Sequence, residues 1–283
     1  MPIEPLGPVV VGVDGSAESS AALDLAAEEA AGRVTPLIVV HAYPRRHASA
    51  VVAACAPEWV DAVAARRRLL SVAAGRVAAE HPCLAVEGEL VAGDPAEALI
   101  ARSAQACLVV VGHRGGAALD GVPIGWVAMR VAARAAAPVV VHRPLDRHTG
   151  VESPRPVLVG VDVLGGTDSP VEFAFAEAAL RGAPLVAMSV WSHPSGSYEQ
   201  ARGNAERMLS DAVRNWSEKY PEVPVRQVAR YSLDTIRSLR EVSTTAQLVV
   251  VGRSRHTGLA RLLLGSVSHG LVQSAGCPVA IVP

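Results

Sequence analysis

One short stretch occurs twice and constrains the fold more than any other. Residues 107–112 read Cys-Leu-Val-Val-Val-Gly, and residues 247–252 read Gln-Leu-Val-Val-Val-Gly. Each is an uninterrupted apolar run that stops at glycine, the pattern of a strand buried on both faces of a parallel sheet. A polar turn follows each run, and a further glycine stands thirteen residues on, at Gly125 and Gly265, where helical spacing begins. A buried strand, a glycine turn and a helix start together present main-chain N–H groups to an anion.

The elements around these runs also repeat. In the first half, the apolar run 8–13 ends at Asp14-Gly15-Ser16. Ser19 or Ser20 is then placed to cap a helix carrying Ala22, Leu23, Ala26 and Ala30, and Gly32 to end it. The pattern continues with a strand over 37–42, a loop over 44–57 and a long helix over 58–80 with Val60, Val63, Leu70, Ala74 and Val77 inward. A third strand over 84–91 precedes a short helix capped by Asp94 with Pro95 in its first turn. The 108–111 strand, a helix over 125–135 and a strand over 138–142 complete this half.

The second half has strands over 157–162, 184–190, 226–229 and 278–282, besides its copy of the repeated run. Ser169 to Gly182 repeats the Ser19 to Gly32 spacing, the long helix carries Ala205, Leu209, Ala212 and Trp216, and Asp234 caps the short helix. This alternation predicts an α/β chain of two tandem doubly wound, Rossmann-like domains, each an open five-stranded parallel sheet flanked by helices. The domains are placed at 1–144 and 157–283, with a linker at 145–156 where proline and mixed charge break the pattern.

Composition narrows the function classes. The 283 residues are half hydrophobic, drawn mainly from Ala, Val and Leu, which suits close packing of helices on a sheet. A net charge of −1 gives no reason to expect nucleic acid or an anionic membrane as partner. The basic run Arg66-Arg67-Arg68 reads as a solvated helix face. Four cysteines lie scattered without any Cys-x-x-Cys, so a reducing compartment is expected. The opening Met-Pro-Ile-Glu-Pro lacks a basic start, and Arg134 interrupts the longest apolar candidate span. A soluble, cytoplasmic protein is expected.

In an open parallel sheet, ligands bind beyond the carboxyl ends of the strands, where the strand order reverses. The turns after the first and fourth strands flank that crevice. In the first half they contain Gly12 and Asp14, then Gly112, Arg114, Gly115 and Gly125. In the second they contain Gly160 and Asp162, then Gly252, Arg253, Arg255, Gly258, Gly265, Ser266, Val267 and Ser268. Glycines let backbone donors approach phosphate oxygens without Cβ interference, and a helix start adds unpaired N–H groups and its dipole. The competing reading is that these glycines only close tight turns. His113 and His256 sit in the turns and His41 ends the second strand, where a polar structural role competes with ligand contact. Trp191 and Tyr43, after the second strands, could stack on a base or pack at the boundary. The chain has no Gly-x-Ser-x-Gly, no Gly-x4-Gly-Lys-Ser/Thr and no His-Glu-x-x-His, and no clustered Cys/His spacing for zinc. No general base or metal-carboxylate pair stands out, so a binding role is favoured over catalysis, with weak ATP hydrolysis as the upper limit.

The ensemble resembles the universal stress protein family in its tandem two-domain form, over nearly the whole chain. Nucleotide-binding members carry Gly-x2-Gly-x9-Gly-Ser/Thr after the fourth strand and an Asp at the end of the first. Gly112, Gly115 and Gly125 fit the glycine spacing, with Trp126 where Ser or Thr is expected. Gly252, Gly265 and Ser266 fit in the second half, with Arg255 replacing the middle glycine. Asp14 and Asp162 match the acid that the resemblance places near adenine and ribose. The second turn, Asp162-Val-Leu-Gly-Gly-Thr, reads as two residues longer than the first. The resemblance implies ATP or a related adenine nucleotide, with or without Mg, and a stress-response regulator. It also implies pairing through the last strands, within the chain or as a homodimer. The alternative is an interaction module whose degenerate loops bind nothing.

The two turns diverge in opposite ways. Trp126 would set an indole, which cannot accept a hydrogen bond, at the helix mouth. Arg255 at a position needing left-handed geometry would cost about 1–2 kcal/mol, but arginine is itself a bidentate phosphate donor. Arg253, Arg255, His256 and Arg261 make the second turn cationic, whereas Arg114 and His113 in the first face Asp120. The second domain is therefore expected to be the better anion site.

Overall fold

The computed structural model describes residues 7–43, 57–115, 125–145, 154–163, 168–192, 197–253 and 264–283. Arg255, His256, Gly258, Arg261 and Asp120 lie outside them. The chain divides into two compact units, Met1–His142 and Arg143–Pro283.

The first unit runs β1 (Val9–Gly12), α1 (Ala17–Arg33), β2 (Leu37–Tyr43), α2 (Pro57–Glu80), β3 (Val86–Ala92), α3 (Pro95–Ser103), β4 (Leu108–Gly112), α4 (Trp126–Arg134) and β5 (Val139–His142). Its strands lie in the order β3-β2-β1-β4-β5 and all their pairings are parallel. The second unit repeats this with β6 (Val157–Gly160), α5 (Asp168–Leu180), β7 (Leu185–Trp191), α6 (Tyr198–Lys219), β8 (Val225–Tyr231), α7 (Thr235–Ser243), β9 (Leu248–Gly252), α8 (Ser266–Ser274) and β10 (Val279–Val282). Its order is β8-β7-β6-β9-β10, again parallel. In each unit the winding reverses between the first and fourth strands, which leaves a crevice beyond their carboxyl ends.

The twin runs are the central strands. Leu108, Val109 and Val110 are fully buried, as are Leu248, Val249 and Val250. They sit between the first and last strands of their sheets, so both faces are covered. The third strands are edges and carry charge, Glu87 and Glu89 on β3, Arg226 and Arg230 on β8. Charged side chains are what an edge strand tolerates and a central one does not.

Helix starts follow side-chain capping. Asp94 accepts from the Glu97 N–H ahead of Pro95, and Asp234 accepts from the Arg237 N–H. Ser197 and Gln200 form a reciprocal capping box at α6. The long helices bury Leu70 and Val77, and Ala205, Leu209 and Val213. Val213 takes the place expected of Ala212, which with Trp216 is only half-buried.

Two boundaries of the first helix differ from the sequence reading. Ser16 caps α1, accepting from the Ser19 N–H, while Ser19 is buried one turn in. Gly32 lies inside the helix. The end falls at Val34, left-handed at φ 54°, whose equivalent in α5 is Gly182 at φ 56°. Val34 bonds to Ala31 and Thr35 to Ala30, as Gly182 bonds to Ala179 and Ala183 to Ala178. The two helices therefore align with an offset of 148 residues, the offset that also relates Leu37 to Leu185 and Asp14 to Asp162. The Gly32–Gly182 match is a coincidence of spacing. The second turn contains no insertion either, because the offset is 148 both before it, from Gly12 to Gly160, and after it, from Val34 to Gly182.

Candidate functional site

A cavity of about 650 Å³ opens at the switch point of the second unit. One wall is the end of β6 with its following turn, Gly160, Val161 and Asp162, and the start of α5, Asp168, Ser169 and Pro170. The opposite wall is the end of β9, Gly252 and Arg253, and the start of α8 from Gly265 to Ser268. Met188 and Val190 of β7, with Leu239 of α7, supply apolar surface, and Thr235 opens α7 beside them. The space is within the range of a small-molecule site, apolar in part with a few convergent polar groups.

The start of α8 gives this cavity its polarity. Its N-cap, Gly265, has no side chain to satisfy the first N–H groups. Ser266 stands exposed at that mouth. The uncapped groups and the helix dipole favour an anion. Ser16, Asp94, Ser197 and Asp234 each fill the cap with a side-chain oxygen, whereas Gly125 of α4 leaves it open as Gly265 does. Ser268 belongs to the cavity wall, but as a brace. It is 2% exposed and its hydroxyl donates to the Gly252 carbonyl at 2.8 Å. Its hydroxyl proton is thus given to the main chain, while the residue stays part of the wall.

The structure brings together Gly160, Asp162, Gly252, Arg253, Gly265, Ser266, Val267 and Ser268 around one space. The sequence reading missed Met188, Val190, Thr235, Leu239, Asp168 and Ser169 as wall residues. Their available signal was register: Gly160 pairs with Met188, and Val190 lies two residues on along the same face.

In the equivalent place of the first unit, the Gly125 N–H donates to the His113 carbonyl at 2.7 Å, which ties the start of α4 to the end of β4. A Cβ built on Gly115 would stand 2.5 Å from Oδ2 of Asp14. The other Asp14 oxygen accepts from the Ser16 N–H and hydroxyl at 2.9 and 2.6 Å. Asp14, Arg114, Gly115 and Gly125 are thus near one another, and Gly12 and Gly112 end the strands behind them. Trp126 is 51% exposed at the first position of α4, with the Arg130 guanidinium 5.1 Å from its ring.

The histidines have structural surroundings. His41 is buried, and its Nδ1 donates to the Val13 carbonyl at 2.7 Å. His142 ends β5 beside Gly112, and the His113 N–H donates to its carbonyl at 3.1 Å. Burial lowers the His142 pKa below the usual histidine value, and a nearby His113 lowers it further against a smaller opposing pull from Asp24. Trp191 packs with Tyr198 and Tyr231, ring centroids 5.5 and 4.9 Å away, rather than lining the cavity. Cys83 and Cys277 are free thiols. Among the described residues no group of three or more His, Cys, Asp or Glu is placed to hold a metal, and no helix is long and apolar enough to cross a membrane.

The sequence profile of the Universal stress protein family matches this chain twice, over residues 6–143 and 154–283. Universal stress protein Rv2005c of Mycobacterium tuberculosis is 35% identical, the match covering 96% of each chain. The crystal structure of a universal stress protein from Archaeoglobus fulgidus superposes with a TM-score of 0.70 at 17% identity, over 98% of this chain and 96% of that one. A universal stress protein solved in complex with cAMP is 30% identical over 50% of this chain and 99% of its own, with a TM-score of 0.40.

Proposed function

The chain belongs to the universal stress protein family, and from that premise we propose that its second domain binds ATP or a related adenine nucleotide and acts as a ligand-responsive regulator of the stress response. One observation carries the reading: the cavity between Asp162 and the uncapped start of α8. Phosphate oxygens there accept from the N–H groups of Ser266 and Val267, from the Ser266 hydroxyl and from Arg253. The apolar surface of Met188, Val190 and Leu239 suits a base, and Asp162 suits the hydroxyls of a ribose. A magnesium ion accompanying the phosphates would fit Asp162 and Asp168, the two carboxylates of the wall, since Mg²⁺ takes one or two carboxylates beside substrate oxygens and water.

Arg255 and Gly258 belong to the same proposed site through the family motif. The first domain, where Asp14 and Gly115 stand close together beside the His113–Gly125 bond, is assigned the weaker site. Cytoplasmic location and homodimer formation are part of the same reading. Calorimetric titration of ATP, ADP and cyclic AMP into the intact chain tests it, together with analysis of nucleotide released on denaturation. We expect one nucleotide per chain. Neither binding heat nor released nucleotide would leave the chain as an interaction module with degenerate loops.

A further inference from the structure

The two domains end in edge strands of opposite charge. Ile38 of β2 lies in register with Glu87 of β3, and Val186 of β7 with Arg226 of β8. Because Leu37 and Leu185 are equivalent, so are Glu87 and Arg226. Both are exposed, and neither has an ion-pair partner among the described residues. Glu89 and Arg230 lie farther along the same faces, held by Arg102 and Glu241 of their own domains. Each edge also offers open main-chain groups. The Leu37 N–H bonds to the Ala85 carbonyl and the Leu185 N–H to the Pro224 carbonyl. By the alternation of a parallel ladder, Val86, Gly88 and Leu90 then turn their N–H and C=O groups away from β2, and Val225, Gln227 and Ala229 away from β7.

We infer that β3 of one chain docks on β8 of a second copy, head to tail, by strand addition. Antiparallel addition sets opposing residues on one face, so Glu87 and Glu89 fall directly or diagonally opposite Arg226 and Arg230. Like edges repel, Glu87 against Glu87 and Arg226 against Arg226. That excludes the two symmetric pairings and leaves the mixed one. A contact of this kind is heterologous, with a single docking leaving each copy one free edge, so further copies can add as concentration rises. It is distinct from any pairing through the last strands, because β3 and β8 lie at the opposite margins of their sheets from β5 and β10.

Sedimentation velocity on the intact chain tests this at rising concentration, in low and in high salt. We expect the sedimentation coefficient to grow with concentration in low salt, and the growth to fade as screening increases. Glu87→Arg or Arg226→Glu alone should raise the apparent dissociation constant by about tenfold or more, as like charges meet. Both side chains are exposed, so the variants should keep the wild-type circular dichroism. An equimolar mixture of the two single variants restores a complementary edge pair and should recover association, as should the double variant. Growth that survives the single reversals, or no concentration dependence in low salt, overturns the proposal.

Discussion

The Ser268 hydroxyl lies 2.8 Å from the Gly252 carbonyl and fastens the first turn of α8 to the end of β9. The hydroxyl is buried and the bond part-buried, so two anchored points set the rim of the cavity. Ser266, two residues earlier, is exposed at the helix mouth. Two serines of one turn thus divide the work, one holding the frame and the other facing the space.

That division separates stability from binding. Ser268→Ala leaves the Gly252 carbonyl without its buried donor and should lower stability by about 1–2 kcal/mol. Ser266→Ala should leave stability within about 0.5 kcal/mol and weaken nucleotide binding. Urea titration paired with calorimetry reads both. Equal stability losses for the two variants would contradict the assignment.

The first domain carries Trp126 where the second has Ser266. Ser266→Trp copies the arrangement at Trp126 and should weaken nucleotide binding by about tenfold or more, since the exposed hydroxyl is lost and an indole fills the helix start. Unchanged affinity by calorimetry would mean that the site lies elsewhere.

Val34 holds a left-handed conformation that its counterpart leaves to glycine. It is 92% exposed, so its side chain packs against little. A non-glycine residue there costs about 1–2 kcal/mol, of which glycine returns part through its larger unfolded-state entropy. Val34→Gly should therefore stabilise the first domain by about 0.5–1 kcal/mol, and Gly182→Val should destabilise the second by a similar amount. Differential scanning calorimetry would register the two shifts with opposite sign.

His142 should make the first domain acid-sensitive. Burial, with His113 beside it, lowers its folded pKa below the ordinary value of 6.5, so the folded state disfavours the charged ring. Its contribution to stability is complete above that value, and it is lost as pH falls through the lowered folded pKa. Wild type should lose more stability than His142→Gln between neutral and mildly acidic pH. Parallel pH dependences in urea titrations would refute this.

Thiol reactivity should follow burial. Cys277 is fully buried and its pKa is pushed up to about 12 by desolvation, whereas Cys83 is exposed. Iodoacetamide at mildly alkaline pH should label Cys83 promptly and Cys277 only on unfolding, because the thiolate is the nucleophile. Mass spectrometry of timed digests gives the two rates.

The sequence alone determined the tandem α/β architecture. Apolar runs ending in glycine at fixed spacing admit little besides buried parallel strands, and Asp94 and Asp234 announce their helices by local chemistry. It also singled out Gly160, Asp162, Gly252, Arg253, Gly265 and Ser266, which line one cavity, because strand ends and helix starts are local patterns. Only the tertiary structure decided what those residues do together. Ser268 turned out to be a brace because Gly252 lies close in space though 16 residues away in sequence. Met188, Val190 and Leu239 joined the wall because register and helix packing bring them there. In the first unit, the approach of Gly115 to Asp14 and the bond from Gly125 to His113 are contacts that no spacing rule contains. Strand and helix identity depend on neighbours along the chain; an open or filled crevice depends on which side chains meet across it.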